Sequence, residues 1–372
     1  MVLLTGKMEV SAEVEITSPS AILMEASTGE VVLQHNADER RSPASITKVM
    51  TLLLTFEALE AGKVSLSDEV LTSEHASSMG GSQVFLAEGE KQSLDTMIKC
   101  IVIASGNDAS VAVAEHIAGS EEAFVDLMNK RAGELGMVNT NFEDCCGLTE
   151  SDNHYSTARD VALMSRELIL NHPEIYDYSM IWMENITHNT KQGSSLFTLS
   201  STNKLIKQYP YTTGLKTGST SKAKFCITAT GRKNNLDMIA VVLGAEESKV
   251  RFNEAKALLS YGFNTCKVYI DENKEQLPPV MVERGVHEQV PLVYEGDFRY
   301  LDIKGNDLQK IEKQVEIPKT MKAPIEKGAK AGEVIYLLDG VKIGSVDVFF
   351  GSDVEAAGYK DYLYKVFMEF IL

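Results

Sequence analysis

The chain has 372 residues, 44% of them hydrophobic and 24% charged, and its formal net charge is −17. One hydrophobic core rarely serves a chain of this length, so these totals predict a globular protein with two domains. The acidic balance argues against nucleic acid as a partner, because phosphate binding requires clustered Lys and Arg side chains.

The cysteines and histidines give no sign of a metal site or a cofactor. There are five cysteines, an odd number that excludes complete pairing, and no CxxC or Cys/His metal spacing occurs. Adjacent Cys145 and Cys146 could form a strained vicinal disulfide, but unpaired thiols are the favoured interpretation. The seven histidines show neither ligand spacing nor a catalytic triad. We therefore expect no metal and no cofactor.

The beginning of the chain resembles the end of a secretory signal. The segment MVLLTGKMEVSA is too short for a complete signal peptide, but Val10-Ser11-Ala12 has the small-x-small pattern that precedes a cleavage site. We expect residues 1–18 to include the remnant of such a signal. No stretch of the sequence approaches the roughly 20 apolar residues of a membrane-spanning helix.

The first predicted elements are a β-hairpin over residues 21–25 and 30–34 and then a buried helix, for which Pro43 suits the first turn. The apolar side chains of this helix recur at the spacing of a buried face: Ile46, Val49, Met50, Leu53 and Leu54. Lys48 lies in its first turns, where burying an ammonium group is costly unless it is paired or neutralised.

Helical patterns dominate the next part of the chain. Residues 74–92 contain three glycines and are predicted to form a long loop with functional potential. A buried helix begins after Ser93, a plausible N-cap, breaks at residues 106–108 and resumes until Gly119. Ser156 or Thr157 caps another amphipathic helix.

From Thr212 the hydrophobic period changes to two. Three successive strands with short connections predict an antiparallel arrangement, and the segment RFNEAKALLSYGF returns as a helix packed on them. Helices around a mostly antiparallel sheet make an α/β (α+β) fold. Beyond residue 268, short alternating segments divided by Gly and Pro predict a small all-β module.

The tail GYKDYLYKVFMEFIL carries an apolar stripe at helical spacing: Tyr359, Tyr362, Leu363, Val366, Phe367, Phe370 and Ile371. Its aromatic content and terminal position favour a helix lying in a membrane interface over a helix docked on the core. The predicted layout is an N-terminal segment over 1–18, a catalytic domain over 19–266, a β-rich domain over 267–352 and an amphipathic helix over 353–372.

Ser45 and Lys48 form a possible nucleophile and base. At i and i+3 on a helix they share one face, and burial lowers the pKa of a lysine because desolvation disfavours its charged form. A neutral Lys48 could take the proton of Ser45 during acyl transfer. Ser-x-x-Lys also occurs at Ser201, Ser219 and Ser221, but only the first copy opens a long apolar helix.

Two further motifs follow in order. Ser-x-Asn occurs at Ser105, Ser151 and Ser201, of which Ser105 lies between two predicted helices and Ser151 is better explained by turn or cap chemistry. Lys216-Thr217-Gly218 occurs once, on a predicted strand. Ser-x-x-Lys at a helix start, Ser-x-Asn between helices and Lys-Thr-Gly on a strand form the three-part pattern of penicillin-recognising serine enzymes.

With these motifs, the chain resembles the low-molecular-mass penicillin-binding proteins, serine-type D-alanyl-D-alanine carboxypeptidases of bacterial cell walls. The segments that carry the resemblance are RRSPASITKVMT, SMGGSQVFL, IASGNDASVAVAEHIAGS, HYSTARDVAL and GLKTGST. It extends from about Ser20 to the terminal helix. It implies a β-lactamase/DD-peptidase-like catalytic domain followed by the β-rich domain, on the outer face of the bacterial cytoplasmic membrane.

The resemblance also implies a mechanism. Ser45 would attack the carbonyl between the two terminal D-alanines of a peptidoglycan stem peptide, with Lys48 as the general base. Ser105 would relay a proton to the leaving amine, and Asn107 would hold the substrate amide. A β-lactam would stall the process at the acyl-enzyme.

The remaining site residues belong to the strand and the helix after it. Lys216 would lie near Ser105, and the N–H groups of Ser45 and Ser219 would hold the oxyanion beside Gly218. Thr217 and Arg251 would hold the terminal carboxylate, although a surface helix arginine is an equal interpretation of Arg251. The segment SSTNKLIK lacks the arginine that some family members carry before its asparagine.

Three alternatives stay open on the sequence. A β-lactamase shares the motifs, but its class A members need an added glutamate, and no Glu-x-x-Leu-Asn segment follows Ser105 here. An endopeptidase or transpeptidase shares the acyl-enzyme step. A non-catalytic, membrane-held penicillin-binding protein would have no need of four costly polar groups in one cleft.

Overall fold

The computed structural model describes residues 14–191 and 193–371, with the backbone alone for residues 365 and 368–371. The chain divides into two compact units, the first ending at Thr265 and the second beginning at Cys266. The predicted signal remnant at Val10-Ser11-Ala12 lies outside the described residues and stays a prediction.

The first unit is built on an antiparallel sheet. Its strands are β1 (Ser20–Glu25), β2 (Val31–His35), β7 (Thr212–Thr220), β8 (Lys224–Lys233) and β9 (Leu236–Ala245). Their order is β2-β1-β9-β8-β7, so the N-terminal hairpin extends the three later strands. In this register Lys216 lies opposite Thr228, and Ser20 opposite Leu243. The prediction of an antiparallel sheet is confirmed.

Helices surround this sheet. They are α1 (Lys48–Glu60), α2 (Glu74–Ser77), α3 (Leu94–Ile103), α4 (Asn107–Ala118), α5 (Glu121–Glu134), α6 (Ala158–Asn171), α7 (Ile175–Ser179), α8 (Leu205–Gln208) and α9 (Ser248–Thr265). Both α6 and α9 contact β9, which is buried at every position but one. The caps follow the sequence: Ser93 accepts a hydrogen bond from the N–H of Thr96, and Thr157 from that of Asp160.

The structure corrects two of the predicted elements. Residues 74–92 are not one long loop, because α2 begins there, with Ser73 as its N-cap, and a short strand, β4 (Lys91–Ser93), pairs with β3 (Glu69–Leu71). Ser45 does not lie on the α-helix itself. A 3-10 helix over Ala44–Thr47 contains it, and α1 begins only at Lys48.

Other elements went unpredicted because their apolar patterns are sparse. Helix α5 buries little more than Phe124, Met128 and Ala132, the i, i+4 and i+8 positions of an otherwise polar segment. The hairpin of β5 (Met183–Thr190) and β6 (Gly193–Ser200) is largely exposed. Strands with so few buried side chains leave no clear alternation to read in the sequence.

The second unit is the predicted all-β module. Its strands are β10 (Lys267–Asp271), β11 (Val280–Glu283), β12 (Gln289–Val290), β13 (Leu292–Tyr294), β14 (Phe298–Asp302), β15 (Ile311–Glu316), β16 (Thr320–Lys322), β17 (Lys330–Leu338) and β18 (Val341–Phe350). The largest sheet has the order β13-β18-β17-β15. In the core the rings of Phe298 and Tyr336 stack with centroids 3.7 Å apart.

The chain continues into a final helix, α10 (Tyr359–Ile371). Large apolar side chains of this helix are exposed: Tyr359, Tyr362, Leu363, Tyr364, Val366 and Phe367. Among the helices of the described residues, none is long and apolar enough to cross a membrane.

Candidate active site

The turn before α1 brings a hydroxyl and an amine together. Because side chains at i and i+3 eclipse in a 3-10 helix, Ser45 in that turn and Lys48 at its end lie on one line. The Lys48 Nζ atom is 3.1 Å from the Ser45 Oγ atom. Lys48 is completely buried, whereas Ser45 is half-buried. The hydroxyl is therefore accessible and its neighbour is dry.

A loop over residues 143–155 fixes the shape of this turn. Ala44 has a φ of 48°, in the left-handed region. A Cβ atom at Gly147 would lie 1.9 Å from the carbonyl oxygen of Ala44. Only glycine allows this approach. The Asp144 carboxylate accepts hydrogen bonds from the N–H groups of Cys146, Gly147 and Thr149. Burial opposes its charge, but the nearby His154 and these donors lower the pKa of Asp144.

The surroundings of the Lys48 amine suit a neutral group. Its Nζ lies 2.6 Å from Asn107 Oδ1 and 2.8 Å from the carbonyl oxygen of Cys146. Burial lowers the pKa of Lys48, against weaker opposing effects of Cys146 and other nearby acidic groups. A neutral amine donates two hydrogen bonds and accepts one. The two oxygens take both donors, which leaves the nitrogen lone pair for the hydroxyl proton of Ser45.

A second hydroxyl–amine pair comes from the other two motifs. Ser105 joins α3 to α4 with a φ of 62°, and its Oγ accepts a hydrogen bond of 2.8 Å from Lys216 Nζ. Both side chains are buried. Burial lowers the pKa of Lys216 well below its usual value, and the charges of Lys48 and Arg251 lower it further. Because the two buried amines repel each other when both are charged, protonation of Lys48 and Lys216 at the same time is unfavourable.

Strand β7 lies close to the 3-10 turn over Ala44–Thr47 that contains Ser45 (the nucleophile turn). A Cβ at Gly218 would lie 2.9 Å from the backbone nitrogen of Ser45 and 3.0 Å from the carbonyl oxygen of Pro43. Because those neighbours are backbone atoms, a larger residue at this position would force the strand and the turn apart. Ser219 follows, exposed at the end of the strand.

Asn107 and Asp108 attach residues 80–86 to the site. The Asn107 side chain donates a 2.7 Å hydrogen bond to the carbonyl oxygen of Gly80 while its Oδ1 contacts Lys48. The Asp108 carboxylate accepts hydrogen bonds from the N–H groups of Val84 and Leu86. The sequence reasoning missed Asp108, although its place directly after Asn107 at the start of a helix was a signal.

Thr217 and Arg251 lie beside and behind the strand. Thr217 Oγ1 donates a 2.7 Å hydrogen bond to Thr202 Oγ1, a partner that the sequence reasoning missed. Arg251 is buried, unlike a surface helix arginine, and donates to the carbonyl oxygens of Gly218 and Cys226 at 2.8 and 3.1 Å. Burial lowers the pKa of Arg251 to about 10. The guanidinium thus places positive charge behind the Lys-Thr-Gly segment.

No other copy of the motifs forms such a buried hydroxyl–amine pair within the described residues. Ser151 and Ser201 accept hydrogen bonds from the N–H groups of Asn153 and Asn203, as turn residues do. Lys222 pairs with Asp152 on the surface. Cys145 and Cys146 are buried free thiols. Across the described residues no group of three or more His, Cys, Asp and Glu side chains is placed to hold a metal.

The chain matches two known protein families, one over each unit. Residues 7–247 match the family described as D-alanyl-D-alanine carboxypeptidase, and residues 263–356 match the C-terminal domain of penicillin-binding protein 5. The first match covers more than half of the chain.

Individual relatives give the same result. The chain is 41% identical to the D-alanyl-D-alanine carboxypeptidase DacF of Bacillus subtilis, over 95% of this chain and 90% of that protein. It is 32% identical to DacC of Escherichia coli, over 94% and 88%. The crystal structure of penicillin-binding protein 5 from Haemophilus influenzae superposes with a TM-score of 0.78 at 32% identity, covering 92% of this chain and 98% of that one. The chain belongs to the D-alanyl-D-alanine carboxypeptidase family of low-molecular-mass penicillin-binding proteins.

Proposed function

We propose that this protein is a serine D-alanyl-D-alanine carboxypeptidase that removes the terminal D-alanine from peptidoglycan stem pentapeptides through an acyl-enzyme on Ser45. The observation that carries the proposal is the buried cleft in which Ser45 contacts Lys48 while Ser105 contacts Lys216. Membership of the carboxypeptidase family supports the reaction and the substrate class.

Acylation begins when neutral Lys48 takes the hydroxyl proton of Ser45. The Ser45 Oγ atom then bonds to the carbonyl carbon between the two D-alanines, and the oxyanion lies between the N–H groups of Ser45 and Ser219. As the C–N bond breaks, Ser105 relays to the departing amine the proton that Lys48 took, while Lys216 donates a hydrogen bond to the Ser105 hydroxyl, and Lys48 is neutral again. Free D-alanine leaves, and the shortened peptide remains as an ester.

Deacylation reverses the proton movements with water in place of the amine. Lys48, neutral again, takes a proton from the attacking water, the ester C–O bond breaks, and Ser45 recovers its hydroxyl proton. A β-lactam enters the same first step, but its ring-opened amine stays tethered. The ester then persists because no small leaving group vacates the cleft.

Substrate recognition falls to the cleft walls. Asn107 holds the amide of the stem peptide, while Lys216, Thr217 and the backbone of Gly218 receive its terminal carboxylate. Arg251 contributes from behind the strand by adding positive charge and fixing the Gly218 carbonyl. This charge supplements Lys216 and Thr217, because the SSTNKLIK segment carries threonine rather than arginine before its asparagine.

Mass spectrometry tests the acyl-enzyme directly. Incubation with benzylpenicillin is expected to add one drug mass to the wild type, to Ser201→Ala and to Ser219→Ala, but not to Ser45→Ala. Release of D-alanine from a pentapeptide ending in D-Ala-D-Ala then establishes the carboxypeptidase. Rapid penicillin hydrolysis without an adduct would establish a β-lactamase instead, and an adduct without D-alanine release a binding protein.

The layout of the chain fits an enzyme outside the cytoplasmic membrane, where peptidoglycan is found. In this layout residues 19–266 are catalytic and residues 267–352 form the β-rich domain. The exposed aromatic side chains of α10 support its attachment to the membrane surface, through apolar burial rather than charge. Flotation with phosphatidylcholine liposomes should retain the full chain and lose a variant without residues 356–372. Equal flotation of both would contradict the anchor.

A further inference from the structure

A second cavity opens in the first unit, at the end of α1 that lies away from Ser45. Its volume is about 720 Å³, a size typical of small-molecule sites. Its floor is aromatic: the Phe56 ring stacks on His172 with centroids 5.9 Å apart, and Tyr178 meets Phe56 edge-on at 6.0 Å. Glu60, at the rim, lies twelve positions after Lys48 along this helix, a distance of about 18 Å.

The rim of this cavity is strongly acidic. It has one lysine, Lys99, which pairs with Asp95 at 3.1 Å and with Glu184 at 2.8 Å. Five carboxylates line it: Glu60, Asp95, Glu174, Asp177 and Glu184. Within the described part of the chain, Glu60, Glu174 and Asp177 have no Lys or Arg in ion-pair contact. The cavity therefore combines apolar area with carboxylates that no Lys or Arg of the described residues neutralises.

His172 places an imidazole without a hydrogen-bonded protein partner in the wall of this cavity. Its side chain is only 3% exposed, it lines the cavity, and its ring nitrogens make no hydrogen bond to any residue that the structure describes. The nearest carboxylate oxygens, on Glu174 and Glu60, lie 3.7 and 3.9 Å away. No described residue hydrogen-bonds to this imidazole, and its nitrogens keep access to the cavity, so solvent or a ligand there supplies the partner that a buried polar group normally has.

Two helices add to the negative potential. Glu60 is the last residue of α1, and Asn171 and His172 lie at the end of α6. A helix carries a partial negative charge at its C-terminus. Both ends line this cavity, where a cation would be attracted by the two helix termini and the carboxylates together.

We propose that this cavity binds a cationic ligand with an apolar stem. The ammonium group lies among the carboxylates, and the stem lies against the aromatic floor, where burial of its methylene groups contributes to binding. A primary ammonium on an aliphatic stem is shared by free polyamines and by lysine-type side chains of peptides. The site is independent of Ser45 and of the proposed acyl-enzyme.

Calorimetric titration of the full chain tests the ligand class. Cadaverine, a free diamine, and Nα-acetyl-lysine amide, a peptide-like amine, are the probes, with 1,5-pentanediol as the neutral control. We expect saturable amine binding that is at least about tenfold tighter than that of the diol and that weakens with added salt. Tighter binding of cadaverine assigns the site to polyamines, and tighter binding of the lysine amide assigns it to peptides.

A charge-matched pair of variants separates the cavity from the overall charge. The double variant that combines Glu60→Gln and Glu174→Gln is expected to weaken amine binding at least about tenfold. Glu122→Gln with Asp126→Asn removes the same charge from the exposed face of α5 and should leave binding unchanged. Ser45→Ala should bind as the wild type does. Equal affinity for amine and diol, no saturation up to about 10 mM, or equal losses in both double variants would overturn the proposal.

Discussion

The two ends of α1 lie in opposite electrostatic surroundings. At its start, the Lys48 amine is buried among neutral hydrogen-bond partners and another amine, Lys216, lies in the same cleft. At its end, Glu60 is exposed beside an acidic cavity. A helix favours acidic groups at its N-terminus and basic groups at its C-terminus, so the charged forms of both residues are opposed by the helix dipole.

Each end of the helix therefore carries a residue type that local stability would not place there. Residues that break a local rule are most often functional, because only function compensates for the lost stability. At the Lys48 end, burial and the positive helix end both favour the neutral base that acyl transfer requires. At the Glu60 end, the uncompensated carboxylates attract a cation from outside the chain.

Removing the amine at the catalytic end should have the largest effect. Lys48→Met keeps an apolar stem of similar length but removes the group that takes the Ser45 proton. We expect penicillin acylation to fall by about a thousandfold, since general-base catalysis contributes about 10²–10⁴ in rate. The rate of adduct formation by mass spectrometry measures this. Lys204→Met, in another Ser-x-x-Lys copy, is the control, and a fall of less than tenfold in Lys48→Met would contradict the role.

Separating β7 from the nucleophile turn should have the next largest effect. Gly218→Ala would place a methyl group 2.9 Å from the Ser45 nitrogen, and an ångström-scale shift of reacting groups lowers rates by about a hundredfold. Time-resolved acylation measures the loss. Gly133→Ala is the control, because no atom lies within 4 Å of its Cβ position in α5. We expect it to acylate normally and to gain about 0.5–1 kcal/mol of stability.

The acylation rate should depend on pH through the base. Burial lowers the pKa of Lys48 below its usual value of 10.5, so the rate should rise with pH and level off before that value. The unfolded chain binds a proton between the lowered pKa and 10.5 that the folded chain does not. The free energy of unfolding should therefore rise with pH across this window. A pH–rate profile that inflects at or above 10.5 would contradict the neutral base.

The smallest expected effect lies at the other end of α1. Glu60→Gln removes a carboxylate from the negative end of the helix and should raise the free energy of unfolding by about 0.3–1 kcal/mol. Glu57→Gln is the contrast, because Glu57 pairs with Arg131 at 2.7 Å and its loss should destabilise the protein slightly. Urea denaturation midpoints measure both changes. A loss of stability in Glu60→Gln would show that the Glu60 carboxylate stabilises the end of α1. It would contradict the difference drawn between the two ends of this helix.

Much of the fold follows from local patterns, and part of the site does as well. The apolar spacing after Pro43 and the period-two strands from Thr212 mark α1 and the central sheet. The three sequence motifs identify Ser45, Lys48, Ser105 and Lys216 as site residues, and the structure brings these four side chains together. Their roles stay predictions. Side-chain types at fixed spacing carry this kind of information because the chemistry depends on them.

What the sequence does not reveal depends on backbone atoms and on distant contacts. Lys48 is held by the carbonyl oxygen of Cys146, which any residue would offer. Gly147 is required by its approach to Ala44, about a hundred residues earlier in the chain, and this contact leaves no local pattern. The acidic cavity is likewise assembled from several segments of the chain, each of which alone reads as an ordinary solvated surface.

The protonation state of Lys48 tests the proposed mechanism most directly. The protein is labelled with ¹³C at the lysine Cε position, and the signal of Lys48 is the one that is missing from the spectrum of Lys48→Met. An NMR titration then follows this signal with pH. We expect this signal to titrate below 10.5, because burial disfavours the charged amine, so that a neutral amine faces Ser45 at lower pH than an ordinary lysine allows. A signal that titrates at or above 10.5 would show a protonated amine and would contradict the proposed base.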